Sequence, residues 1–133
     1  YGQSKTANAL FAVGLTQHYQ NSGVTANAVM PGGIQTTLQK HVPSEEQRQL
    51  GWIDEDNQIT AKFKTPEQGA ATSIWAAVAP ELNGAGGLYL EDCQIAKEWC
   101  AEHPLSGVLP YALDCESAEK LWEISKFMVR ISS

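Results

Sequence analysis

The run Val24-Thr25-Ala26-Asn27-Ala28-Val29-Met30 ends on Pro31-Gly32-Gly33, and this junction constrains the fold more than any other stretch. Small and β-branched residues in such a run suit a buried strand. Proline cannot extend a central ladder and glycine lets the backbone bend, so the strand must stop there in a turn. On its N-terminal side, Ala7, Leu10, Phe11, Gly14, Leu15 and His18 recur at three- and four-residue steps, which predicts a helix over 1–22. Asn21-Ser22-Gly23 supplies its stop, with Gly23 free to turn left-handed. On the C-terminal side, Thr65-Pro66-Glu67-Gln68 reads as a helix start. Thr65 caps, Pro66 fits the first helical position, and Gln68 closes the capping box. This helix runs through Ala70, Ala71, Ile74, Trp75 and Val78 to Pro80.

Asn83-Gly84-Ala85-Gly86-Gly87 is then a loop and Leu88-Tyr89-Leu90 a short apolar strand. Glu116 to Arg130 carries Ala118, Leu121, Trp122, Ser125 and Met128 on one face, as a docked amphipathic helix would. The order helix, strand, helix, strand, helix favours an α/β fold with parallel strands joined by a right-handed crossover. Two parallel strands alone make a poor sheet, since such sheets are normally several strands wide and covered on both faces. An open far edge on the first strand is therefore expected. Between these elements, 35–64 is irregular and polar, with a short helix expected from Ser44, where Gln47 completes a capping-box pattern. Cys93 to Asp114 shows little periodicity.

A length of 133 residues suits one modest domain, and 43% apolar with 18% charged residues is the composition of a folded chain. The net charge of −6 and the lack of any basic run argue against nucleic acid and against an anionic membrane surface. No apolar stretch approaches the roughly 20 residues needed to span a bilayer. Cys93, Cys100 and Cys115 are odd in number and form no Cys-x-x-Cys. They read as free thiols in a reducing, cytoplasmic setting, and a zinc site with His103 is not expected. His18 and His41 lack an evident acidic partner in sequence and read as surface or loop residues, while Trp75 and Trp122 lie on helical stripes and read as core.

Tyr1 and Lys5 lie at i and i+4, so both side chains leave one face of the first helix. An ammonium beside a phenol favours the phenolate, and a tyrosine tuned in that way can exchange a proton with a carbonyl or alcohol oxygen. A chance pair on a helix is the plain alternative. Context weighs on this choice. Tyr1-Gly2-Gln3-Ser4-Lys5 with Ala7-Asn8-Ala9-Leu10 resembles the active-site helix of the short-chain dehydrogenase/reductase family. Asn27 to Thr36 resembles that family's strand and Pro-Gly cofactor loop, and Thr65 to Ala71 and Gly86 to Cys93 resemble its late helix and last strand. Ala118 to Ser125 is similar to the retinol-dehydrogenase-like and WW-domain-oxidoreductase-like branch.

The resemblance implies the C-terminal part of a Rossmann-like doubly wound parallel sheet, in one unit over 1–133. Its parts would be the active-site helix (1–22), strand and cofactor loop (24–36), substrate-binding region (37–64), late helix and last strand (65–92), and a C-terminal extension with its helix (93–133). It implies hydride transfer between a nicotinamide nucleotide and a carbonyl or alcohol, with Tyr1 as general acid/base and Lys5 lowering its pKa. Tyr1, Lys5, Pro31, Gly32, Ile34 and Thr36 would meet the cofactor, NADP by the apparent branch and NAD otherwise. Trp52, Ile53, Ile59 and Phe63 would either contact an apolar substrate or simply anchor a long loop. The family's glycine-rich phosphate loop has no counterpart here, so the chain is expected to be about two-fifths of such an enzyme and inactive alone. The competing expectation is a non-catalytic truncated module that pairs with a full-length subunit. A homodimer through the first helix is a further expectation from the resemblance.

Overall fold

The computed structural model describes residues 1–34, 41–61 and 63–129, and within them the chain alternates helix and strand as an α/β fold. Helix α1, Gly2–Tyr19, runs on into a 3-10 turn at Gln20–Ser22 and stops at Gly23, whose φ of 77° is the left-handed conformation expected there. Strand β1 follows at Ala28–Met30, then helices α2, Ser44–Gln49, and α3, Pro66–Val78. Strands β2, Tyr89–Glu91, and β3, Gln94–Ile95, precede helix α4, Cys115–Met128.

Among the described residues the sheet has the order β1-β2-β3. The expected parallel pair is present, with Ala28 opposite Tyr89, Val29 opposite Leu90 and Met30 opposite Glu91. β3 was not expected. It turns back antiparallel through Asp92 and Cys93, both left-handed at φ 48° and 56°. Two consecutive left-handed residues make a tight hairpin turn whose usual marker is glycine or asparagine, and Asp-Cys lacks it.

The first strand is shorter than its sequence pattern, covering only the last three residues of Val24 to Met30. Ahead of it, Ala26 is held by a helix side chain: the Thr16 hydroxyl accepts from its N–H and donates to its carbonyl, each at 3.0 Å. The strand is also half-buried rather than buried, with Met30 exposed. The last strand begins at Tyr89, one residue later than expected, and extends to Glu91.

At α3 the capping box forms as its residues dictate. Gln68 N–H donates to Thr65 Oγ1 at 3.3 Å, and Thr65 N–H donates to Gln68 Oε1 at 2.9 Å. The helix ends at Val78, and Pro80 opens a separate 3-10 turn, Pro80–Leu82. At α2 the Ser44 cap does not form. The N-cap is Pro43, and Gln47 Nε2 reaches back to the Val42 carbonyl at 2.7 Å.

Two faces of α1 are used. Ala9, Ala12, Val13 and Thr16 are buried beneath the sheet region, where Leu90 is completely enclosed. The stripe carrying Phe11, Gly14 and His18 receives α4. A Cβ on Gly14 would stand 3.4 Å from both the Ala118 carbonyl and the Trp122 ring, so a small residue permits this close approach. Trp122 stacks on Phe11 at 5.4 Å and on His18 at 4.7 Å between centroids. His18 does have an acidic partner: its Nε2 lies 2.9 Å from Glu119 Oε2, brought from 101 residues away. Met128, expected on the docked face of α4, is exposed. Trp75 and Trp122 are half-buried rather than core, and the Trp75 indole N–H donates to Glu81 Oε1 at 3.0 Å. The three cysteines are exposed and unpaired. Among the described residues no helix is long and apolar enough to cross a membrane.

Candidate active site

Tyr1 is the N-cap of α1, and its carbonyl accepts from Lys5 N–H at 3.1 Å and from Ser4 Oγ at 2.7 Å. Those bonds fix the first turn. The Lys5 ammonium lies over the Tyr1 ring, 5.0 Å from its centroid, a cation–π arrangement that the i, i+4 spacing permits. The phenol itself is open, with Tyr1 90% exposed.

Tyr1, Lys5 and Asn8 form one wall of a cleft of about 520 Å³. The rest of the lining comes from Asn27, β1 and the Pro31–Gly32 turn, with Tyr89 of the neighbouring strand. Four of the six expected cofactor residues, Tyr1, Lys5, Pro31 and Gly32, thus meet in one place. Ile34 is not in that wall. Its side chain fills the notch at Gly69 on α3, where an added Cβ would fall 2.0 Å from Ile34 Cδ1. Thr36 lies outside the described residues.

A contact invisible in the sequence braces the turn. Lys64 N–H donates to the Gly33 carbonyl at 2.8 Å, and Ile34 and Lys64 form a parallel bridge. The Lys64 ammonium donates to the Pro31 carbonyl at 3.2 Å and pairs with the Asp92 carboxylate. Thirty-three residues separate Lys64 from Pro31, so no local pattern announces the bond. The aromatic and branched residues of the 37–64 region pair among themselves. Trp52 meets Phe63 edge-on at 6.0 Å, Ile53 bridges Ile59, and Phe63 lies beneath Gly33. None of the four is in the wall of the Tyr1–Lys5 cleft.

No protein-family model matches the chain. Individual proteins do. A "Probable oxidoreductase" of Streptomyces lividans is 47% identical over 92% of the chain, and "Short-chain dehydrogenase/reductase prx1" of Penicillium roqueforti is 40% identical over 99%. "Retinol dehydrogenase 14" of Homo sapiens is 36% identical over 97%. The chain belongs to the short-chain dehydrogenase/reductase family. It spans about two-fifths of the length of these relatives, from 42% of the first to 34% of the third.

The cleft of this short-chain dehydrogenase/reductase chain combines polar and apolar lining: Lys5 and Asn8 offer hydrogen-bond donors, and Pro31 offers an apolar face. The volume is in the range of small-molecule sites. No G-x-G-x-x-G run for the diphosphate occurs in the sequence.

Proposed function

We propose that the protein is a nicotinamide-dependent oxidoreductase acting on a carbonyl or alcohol, with Tyr1 exchanging the proton. The observation that carries this reading is the Tyr1–Lys5 pair facing the Pro31–Gly32 turn across one cleft. Relatives named as oxidoreductase, short-chain dehydrogenase/reductase and retinol dehydrogenase support it. When bound, the nucleotide supplies a hydride in the reducing direction and takes one up in the oxidising direction. Lys5 hydrogen-bonds the ribose, and the Pro31–Gly32 turn bounds the ring; the Ile34 backbone and Thr36 are the further nucleotide contacts in this reading. Tyr1 gives its phenolic proton to the carbonyl oxygen on reduction and recovers it from the alcohol on oxidation. Lys5, whose ammonium lies over the ring, is the positive charge assigned to the phenolate left behind. NADP is the proposed nucleotide, and an apolar carbonyl or alcohol the proposed substrate class.

The experiment is made on the full-length protein. Tyr1→Phe removes the hydroxyl while keeping the ring under Lys5. Turnover should fall by about 10²–10⁴-fold, the usual range for a lost general acid/base, with nucleotide binding retained. Undiminished turnover would remove Tyr1 from the mechanism. Lys5→Met should weaken nucleotide binding and rate together, since both roles vanish; an effect confined to substrate KM contradicts them.

A further inference from the structure

The Pro31–Gly32 turn leaves the sheet at a weak point. β1 is three residues long, and Gly32 has φ 91°, a conformation that does not by itself hold the chain in one direction. Lys64 is the side chain that ties this turn down. Its ammonium donates to the Pro31 carbonyl, and its stem lies against Gly32 so closely that an added Cβ would come 2.7 Å from Nζ and 2.8 Å from Cε. Its other partner, Asp92, stands on the left-handed turn between β2 and β3, the neighbouring strands of the same sheet. Lys64 therefore links the cleft's lip to the far hairpin through two polar contacts and one packing contact.

The plain reading is a loop-securing ion pair. The side chains are 30% and 62% exposed, and such pairs contribute about 1 kcal/mol or less to stability. That reading leaves out the third partner. The ammonium bonds the carbonyl of a residue in the cleft wall, so its removal changes where the wall sits as well as how firmly the loop is held. We propose that Lys64 is a positioning residue of the cleft, setting the Pro31–Gly32 turn at the nicotinamide end through Asp92 and the Pro31 carbonyl. The inference rests on the nicotinamide reading above and adds a residue to it. Lys64 acts through the turn and touches neither Tyr1 nor Lys5, so nucleotide affinity should respond more than the rate of the bound complex.

The test uses the full-length protein with NADPH and NADH as probes. Lys64→Met keeps the stem over Gly32 and removes the ammonium. It should weaken nucleotide binding about tenfold, the scale of one lost hydrogen bond to a charged group, with kcat at saturation little changed. Hydrogen exchange in the nucleotide-free protein should quicken over 28–34 and not over α1 or α4. Lys64→Arg, which keeps the charge and the donors, should restore most of the binding, and Asp92→Asn should shift it in the same direction as Lys64→Met but less. Unchanged nucleotide binding and exchange in Lys64→Met overturn the proposal while the nicotinamide reading stands. Faster exchange throughout the molecule, without recovery by Lys64→Arg, also overturns it by making Lys64 a general stabiliser. A wild-type protein that binds neither nucleotide removes the nicotinamide reading and this proposal together.

Discussion

Thr16 shows how one hydroxyl can decide where a strand begins. It is buried, and it serves both polar groups of Ala26 at 3.0 Å, accepting from the N–H and donating to the carbonyl. The carbonyl has a second donor in Gly87 N–H at 2.8 Å, whereas no other acceptor for the Ala26 N–H is evident among the contacts described. Thr16→Val keeps the shape and removes both bonds, so it should destabilise by about 1–3 kcal/mol, chiefly through that N–H. Urea midpoints measure this, and Thr16→Ser should recover much of the loss. A Thr16→Val midpoint equal to wild type would mean that water replaces the hydroxyl. The same corner explains Gly86, where a Cβ would stand 2.6 Å from Thr16 Oγ1 and 2.7 Å from Thr25 Cβ. Gly86→Ala is expected to cost about 1–3 kcal/mol by overpacking. Neither role is legible in sequence, because Thr16 reads only as a polar residue in a helix and Gly86 as part of a glycine-rich loop.

At the scale of elements, what could be read was what is local. Thr65, Pro66 and Gln68 lie within one turn, and the box they encode forms as written. Thr65→Ala should therefore cost about 1 kcal/mol, measurable as a lower thermal midpoint. Ser44 with Gln47 has the same spacing and fails, since Gln47 finds the Val42 carbonyl instead. Spacing offers a bond; the surrounding chain decides whether it is taken. α4 adds a pH-dependent cap. Asp114 is held below the ordinary aspartate value by the backbone N–H of Ser117, at 2.7 Å, and then by the Ser117 side chain. A depressed folded value means that the cap's contribution is full above the unfolded aspartate value of about 3.9 and is lost as pH falls through the lower folded value. Helical circular dichroism in acid should show α4 loosening below about pH 4. Asp114→Asn still caps but does not titrate, so its acid profile should lack that component; an identical profile would assign the transition to other carboxylates.

Over the whole molecule, α4 brings the end of the described chain back onto its first helix, and two kinds of contact compete to explain the docking. The His18–Glu119 bond is short, yet the side chains are 32% and 49% exposed, which places its contribution under about 1 kcal/mol. Trp122 instead stacks on Phe11 and His18 and meets Tyr19 edge-on at 6.0 Å. Aromatic pairs contribute about 0.5–1.5 kcal/mol each beyond the area they bury. The rings should dominate. Sequence periodicity could place Trp122 and Phe11 on facing stripes, but not the acid that meets His18, because contacts across 101 residues leave no local trace. Trp122→Ala is predicted to cost about 2–3 kcal/mol, below the value for a fully buried tryptophan, and Glu119→Gln under about 1 kcal/mol. Along α1, at 1.5 Å per residue, Lys5 and Tyr1 lie about 9 and 15 Å from Phe11 and about 20 Å or more from His18, and their first turn is held by bonds to the Tyr1 carbonyl. In the full-length protein, Trp122→Ala should thus lower the thermal midpoint while kcat measured well below it stays near wild type. Equal losses from Trp122→Ala and Glu119→Gln would place the docking energy in the ion pair, and a kcat that falls with the midpoint would tie the candidate pair to α4 through the length of α1.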